Sequence, residues 1–233
     1  MEVLGVIPAR GGSRGVPRKN LALLAGRPLL SYTFDAVRGS RCLTRTVLST
    51  DDVEIAAYAR SCGVEVPFMR PAALADDTTS ALPVVQHALA ELGRSGFLPD
   101  VVVLLQPTSP LRRAAHIDAA VEKLVASGAD SVVTVVEVPH QFNPVSVMKI
   151  EEGRLVPFFD GQGTTVLRRQ DKPHVYARNG AAVYATRRQT IIGGSLFGAD
   201  SRPLEMSAAE SIDIDGPDDL VMAEALIRAR NAT

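Results

Sequence analysis

Three glycines and four cations crowd into one stretch, Arg10-Gly11-Gly12-Ser13-Arg14-Gly15-Val16-Pro17-Arg18-Lys19-Asn20, directly after the apolar run 3–7. Gly11, Gly12 and Gly15 can take positive φ and turn successive backbone N–H groups toward one point, while Arg10, Arg14, Arg18 and Lys19 add side-chain donors. Such a loop suits the holding of phosphates; the plain alternative is a surface turn with solvated charges. Its spacing matches neither Gly-x-x-x-x-Gly-Lys-Ser/Thr nor Gly-x-Gly-x-x-Gly, which speaks against an ordinary P-loop NTPase and a dinucleotide-binding fingerprint.

Near the other end, Ser211-Ile212-Asp213-Ile214-Asp215-Gly216-Pro217-Asp218-Asp219 alternates Ile and Asp, so a short strand here would put Asp213 and Asp215 on one face. Two adjacent carboxylates call for a cation or for a hydrogen-bonded turn. Hard oxygen donors suit Mg²⁺, which takes one or two carboxylates together with substrate phosphates and waters. Asp218 and Asp219 fall at the start of the last helical segment and read as capping charges. Between these ends, Gln106-Pro107-Thr108-Ser109-Pro110-Leu111-Arg112 uses two prolines to fix the path out of an apolar run, which holds Gln106 and two hydroxyls as neutral hydrogen-bonding groups. The basic loop Leu167-Arg168-Arg169-Gln170-Asp171-Lys172-Pro173 could present planar guanidinium forks to a carboxylate or sugar hydroxyls, or be a solvated turn. His87, His116, His140 and His174 show no metal spacing, and no Gly-x-Ser-x-Gly elbow or paired Cys/His signal occurs. Direct displacement is therefore expected rather than an enzyme-bound intermediate.

The elements that must position these groups follow from periodicity. Strand-like runs at 3–7, 46–49, 65–68, 101–105 and 131–136 alternate with helical patterns at 29–38, 52–62, 81–92 and about 114–126. The unbroken apolar run Val101-Val102-Val103-Leu104-Leu105 implies burial on both faces. An α/β fold is expected, doubly wound around a mostly parallel sheet with helices on both faces. Ligands in such sheets sit beyond the carboxyl ends of strands, where the glycine loop, Ser49-Thr50-Asp51-Asp52 and the Gln106 loop all fall. The rhythm breaks over about 139–176, which reads as an inserted lobe, and returns with a strand at 181–184 and a closing helix at 217–230.

Composition narrows the setting. With 46% hydrophobic and 22% charged residues over 233 positions, the chain can bury one sizeable core, and residues 1–233 are expected to form a single domain carrying that lobe. A formal charge of −1 gives no global field toward nucleic acid or an anionic membrane. Cys42 and Cys62 are too few for a disulfide framework, no run approaches the ~20 apolar residues of a membrane span, and no signal peptide is read. A cytoplasmic location is expected.

Six motifs in order, 7–20, Ser49-Thr50-Asp51, Arg70-Pro71-Ala72-Ala73-Leu74-Ala75-Asp76-Asp77-Thr78, 106–112, Asn179-Gly180-Ala181 with Tyr184, and 211–215, resemble the acylneuraminate cytidylyltransferases, or CMP-sialic acid synthetases. The resemblance spans almost the whole chain. It implies that CMP passes from CTP to the 2-hydroxyl of a nonulosonic acid, with release of pyrophosphate. On that pattern Arg10, Gly11, Gly12, Ser13, Lys19 and Asn20 hold the CTP phosphates and ribose, and Arg70, Thr78 and Thr79 lie near the cytosine. Gln106, Arg168, Arg169, Gln170 and Asn179 serve the acceptor, Asp213 and Asp215 hold Mg²⁺, and Arg10 and Lys19 join the aspartates in catalysis. The lobe resembles an arm through which members form homodimers. One departure stands out: a lysine that some bacterial members direct at the acceptor carboxylate is displaced in register here, at Lys149. The acceptor therefore stays open among N-acetylneuraminate, legionaminate, pseudaminate and other nonulosonates, with Kdo, a phosphonate or a non-catalytic nucleotide-binding role as the alternatives.

Overall fold

The computed structural model describes residues 1–13, 15–159 and 168–231. Along the chain run β1 (Val3–Pro8), β2 (Leu23–Leu24), β3 (Arg27–Pro28), α1 (Leu29–Gly39), β4 (Arg45–Ser49) and α2 (Val53–Ser61). Then follow α3 (Ala81–Arg94), β5 (Val101–Leu104), α4 (Ala114–Ser127), β6 (Ser131–Glu137), β7 (Met148–Glu151) and β8 (Arg154–Pro157). The chain closes with β9 (Tyr176–Arg178), β10 (Tyr184–Arg187), α5 (Arg188–Ile192), β11 (Ser201–Glu205) and α6 (Pro217–Asn231). The main sheet is ordered β11-β6-β10-β5-β1-β4, with β9 pairing the far end of β6. β1 runs parallel to β4 and β5, and β6 parallel to β11; β10 is antiparallel to both of its neighbours. The architecture is the expected α/β layering around a mostly parallel sheet.

Side-chain alternation along the strands builds the two core layers. Val3 and Ile7 of β1 with Val101 and Val103 of β5 pack against apolar residues of α1, α2 and α4. Leu4, Val6, Val102 and Leu104 pack against α3 and α5. A third, smaller cluster joins Leu24, Leu29, Leu111 and Ile214 to Ala223 and Ile227 of α6. That cluster matters for function, because Ile214 stands between the two aspartates singled out in the sequence.

Several expected strands differ, each for a local reason. Over 65–68 only Glu65 bridges to Val47; the Val66 carbonyl accepts from Arg60 instead, and Pro67 has no N–H to offer a ladder. The strand expected at 181–184 begins at Tyr184, since Gly180 and Ala181 take left-handed φ of 67° and 56° and turn the chain first. Residues 211–215 form no strand: the Ile214 N–H bonds to the Thr108 carbonyl at 2.8 Å, crossing the sheet end rather than joining a ladder. Within 139–176 the chain forms short 3₁₀ turns and the β7–β8 hairpin, which pairs only with itself among the described residues.

Candidate active site

The glycine loop leaves β1 and is fastened at several points. The Gly11 N–H donates to Asp51 Oδ1 at 3.0 Å, and Asn20, itself buried, donates to the Arg10 carbonyl at 2.9 Å. Gly11 lies so close to Asp52 that a Cβ would come within 2.6 Å of a carboxylate oxygen. The absence of a side chain is thus a packing requirement rather than a conformational one, since Gly11 does not take the positive φ expected of it. Arg18, at φ 51°, turns its guanidinium onto Glu54 at 2.8 Å and Asp52 at 3.4 Å. Arg14 lies outside the described residues.

Lys19 is directed across the loop. Its Nζ donates to the Ile214 carbonyl at 2.6 Å and stands 3.5 Å from Asp215 Oδ1. Gly15 meets the same segment so closely that a Cβ there would overlap the Asp215 carbonyl. Lys19 and the Ile214–Asp215 segment, almost two hundred positions apart, therefore form one wall.

That wall belongs to a cavity of about 390 Å³, lined by Arg10, Ser13, Lys19, Asn20, Arg70, Thr79, Gln106, Thr108 and Asp215 among others. Arg10 reaches Asp77 at 2.6 Å on its rim. Arg70 is buried and donates from Nε to Ser49 Oγ at 3.1 Å and from Nη2 to the Ser49 carbonyl. Burial pulls its pKa down to about 10, partly offset by Asp51, which leaves it charged at neutral pH.

The aspartates differ in setting. Asp215 is 86% exposed, whereas Asp213 lies against Gly180, where a Cβ would overlap its carboxylate. Burial pushes the Asp213 carboxyl up from its ordinary value; the Thr108 hydroxyl and Lys19 oppose that and Asp215 reinforces it. Its Oδ1 is buried without a hydrogen-bond partner. A buried, unpaired carboxylate oxygen beside a second carboxylate fits a hard divalent cation that takes few protein ligands. Among the described residues no group of three or more His, Cys, Asp or Glu could hold a metal. Asp219 caps the segment, accepting from the N–H groups of Asp215 at 2.9 Å and Gly216 at 2.8 Å.

Other expected site residues lie outside this cavity. Thr78 turns its N–H and hydroxyl onto Asp76, at 2.9 and 3.0 Å. Asn179 is buried, and its Nδ2 donates to Ser211 Oγ at 3.0 Å, so it steadies the aspartate segment from behind. Arg169 and Gln170 line a separate cavity of about 360 Å³ with Lys172 and His174, and Arg168 pairs with Asp171 at 3.5 Å. Lys149 is paired with Glu151 at 2.8 Å. Ser49, which holds Arg70, and Asp77, which holds Arg10, lie within sequence motifs but are not among the candidate site residues; only the tertiary fold brings them to their partners.

Residues 4–197 match the model of a family described as cytidylyltransferase. A CMP-N,N'-diacetyllegionaminic acid synthase of Legionella pneumophila is 38% identical over 229 residues, 97% of each chain. A pseudaminic acid cytidylyltransferase of Campylobacter jejuni is 30% identical over 231 residues, covering 99% of this chain and 98% of its own. The solved structure of a CMP-2-keto-3-deoxy-manno-octonic acid synthetase complexed with CTP superimposes with a TM-score of 0.74 over 99% of this chain and 100% of that one; at 17% identity it shows a shared fold.

Two glycines of the loop separate under substitution. Gly12→Ala adds a Cβ with nothing within 4 Å and should change unfolding free energy by less than about 0.5 kcal/mol. Gly15→Ala must displace the Asp215 carbonyl and should cost about 1–3 kcal/mol in urea unfolding. Equal stabilities for the two variants would contradict the docking of the loop on the aspartate segment.

Proposed function

The chain belongs to the cytidylyltransferase family, and from that premise we propose that it transfers CMP from CTP to the 2-hydroxyl of a nonulosonic acid. One observation carries this reading: a single cavity gathers Arg10 and Lys19 of the glycine loop, the neutral Gln106 and Asp215 of the aspartate segment. The hydroxyl oxygen attacks the α-phosphorus in line, the bond from that phosphorus to the bridging oxygen breaks, and pyrophosphate leaves. Positioning and charge neutralisation supply most of the catalysis in such transfers. Arg10 and Lys19 neutralise the phosphates, while Arg70, fixed by Ser49, and Thr79 border the nucleotide end. Gln106 faces the acceptor from the end of β5. Asp213 and Asp215 would hold Mg²⁺, which when bound supplies positive charge to the reacting phosphate. The named acids of the relatives, legionaminic and pseudaminic, support a nonulosonate acceptor.

The lobe fits a homodimer. Its hairpin leaves Ile150 75% and Leu155 70% exposed, with Phe158 and Phe159 exposed beside them. Contiguous apolar surface of this kind marks an interaction face. A second copy covering it would also give Arg168, Arg169 and Gln170, which stand away from this chain's own cavity, a place at the other protomer's acceptor end.

Asp213→Asn should retain the native melting profile and lower kcat by about two to three orders of magnitude, the scale of losing a charge-stabilising group at the reacting centre. Lys19→Ala should raise the CTP KM by about tenfold or more through loss of a phosphate partner. Pyrophosphate release checks both, and near-normal turnover by Asp213→Asn would contradict the metal assignment. For the lobe, Ile150→Lys with Leu155→Lys should convert a sedimenting dimer to monomer and raise the acceptor KM more than the CTP KM. A wild-type chain that is monomeric at working concentrations and fully active would refute the dimer.

A further inference from the structure

Arg112 ends the motif 106–112 and is 3% exposed, yet it does not line the active-site cavity. Its guanidinium turns inward. Nη1 donates to the carbonyls of Gln106 at 3.0 Å and Ala182 at 2.8 Å, and Nη2 donates to Thr33 Oγ1 at 2.5 Å. Three parts of the chain therefore meet on one side chain: the loop leaving β5, the turn entering β10, and α1. All three acceptors are neutral, and Nε is buried with no hydrogen-bond partner. Burial alone lowers its pKa to about 9, which leaves it charged at neutral pH. A cation buried on neutral oxygens is costly, so its placement calls for a reason beyond filling space.

The two carbonyls it holds belong to the backbone segments that frame the acceptor end of the site. Gln106 borders the active-site cavity, and its own N–H donates to the Ala181 carbonyl at 3.2 Å. Gly180 and Ala181, at φ 67° and 56°, make the turn against which the Asp213 carboxylate lies. Two residues beyond Gln106, the Thr108 carbonyl accepts the Ile214 N–H at 2.8 Å. Arg112 thus fixes Gln106 relative to the turn behind Asp213, and its loop relative to the segment that carries both aspartates. A lysine is a poor substitute, because an ammonium is one point charge on a flexible stem, whereas the planar fork sends separate donors to different segments. An apolar side chain would take these donors away from buried carbonyls.

We propose that Arg112 is a positioning residue for the acceptor sugar acid, holding Gln106 at a fixed place relative to Asp213 without touching substrate. The proposal rests on cytidylyl transfer to a nonulosonic acid with Gln106 at the acceptor. The glycine loop is fastened separately, by Asp51 and Asn20, so CTP binding does not depend on this clamp.

Arg112→Lys and Arg112→Met test this in the full-length protein, through the steady-state kinetics of pyrophosphate release and calorimetric CTP binding. Leu124→Ala serves as the control for lost stability alone: Leu124 is fully buried near the C-terminal end of α4, the end away from Arg112. Arg112→Lys should lower kcat/KM for the acceptor by about tenfold to a hundredfold, the scale of a misplaced positioning group, and Arg112→Met at least as much. CTP affinity should stay within about twofold of wild type in both, and Leu124→Ala should keep near-normal acceptor kinetics although it melts earlier. Amide exchange in the substrate-free protein reads the clamp without turnover, and it should be faster at Gln106 and Ile214 in Arg112→Lys than in Leu124→Ala. Acceptor kinetics like wild type in both Arg112 variants, a parallel loss of CTP affinity, the same kinetic loss in Leu124→Ala, or exchange no faster than in that control would overturn the proposal. Wild type that releases no pyrophosphate with any nonulosonic acid would instead overturn the transfer reaction itself, and the acceptor role with it.

Discussion

The structure depends on a junction between two ends of the chain. Lys19 Nζ rests on the Ile214 carbonyl, Gly15 packs against the carbonyl of Asp215, and the Ile214 N–H is tied to the Thr108 carbonyl. Three loops from different strand ends are thereby fixed to one another by backbone atoms, whose positions side-chain rotation cannot relax. Ile214 anchors the junction by burying itself with Leu24, Leu29 and Leu111 against α6. Without that apolar anchor the aspartates would lie on an irregular segment with no reason to face the glycine loop. The hydrophobic packing of one isoleucine is what converts two distant charge clusters into a site.

Charge is then distributed by burial. The chain's formal charge of −1 hides local imbalances that the fold creates. Arg70 and Arg112 are buried on neutral acceptors; Asp213 is half-buried, with its Oδ1 buried and left unbonded. Groups in low-dielectric surroundings interact strongly with an incoming ion, because little water remains to compete. The surface pairs Arg18–Glu54 and Arg27–Asp35 are weaker and mainly set where side chains point. The cavity thus has cations already placed, Arg70 on Ser49, Lys19 on the Ile214 carbonyl and Arg10 on Asp77.

Much of the fold was legible from periodicity. The β1, β4, β5 and β6 strands and the α1 to α4 helices lie within one or two residues of the patterns that predicted them, since each has an apolar face or is buried on both, and α6 is as close to its expected bounds. What escaped was structure lacking such a pattern. β11, Ser-Arg-Pro-Leu-Glu at the sheet edge, has a proline and exposed polar residues, both tolerated because an edge strand needs only one set of ladder bonds. The turn at Gly180 and Ala181 delayed β10 through positive φ, which composition alone does not announce. For the site, residues in tight motifs, Arg10, Ser13, Lys19, Asn20, Gln106 and Asp215, were legible and lie at one cavity. Arg169 and Gln170 stand in the lobe, where the sequence put them, and line a separate cavity of the same chain.

The most direct measurement is pyrophosphate release by the wild-type enzyme with Mg²⁺, scanned over ATP, GTP, CTP and UTP against a panel of nonulosonic acids, Kdo, sugar 1-phosphates and phosphonates. The account predicts release with CTP and one or more nonulosonic acids, at rates well above every other pairing. Preferential turnover of a sugar 1-phosphate or a phosphonate, or CTP binding with no release for any acceptor, would contradict it.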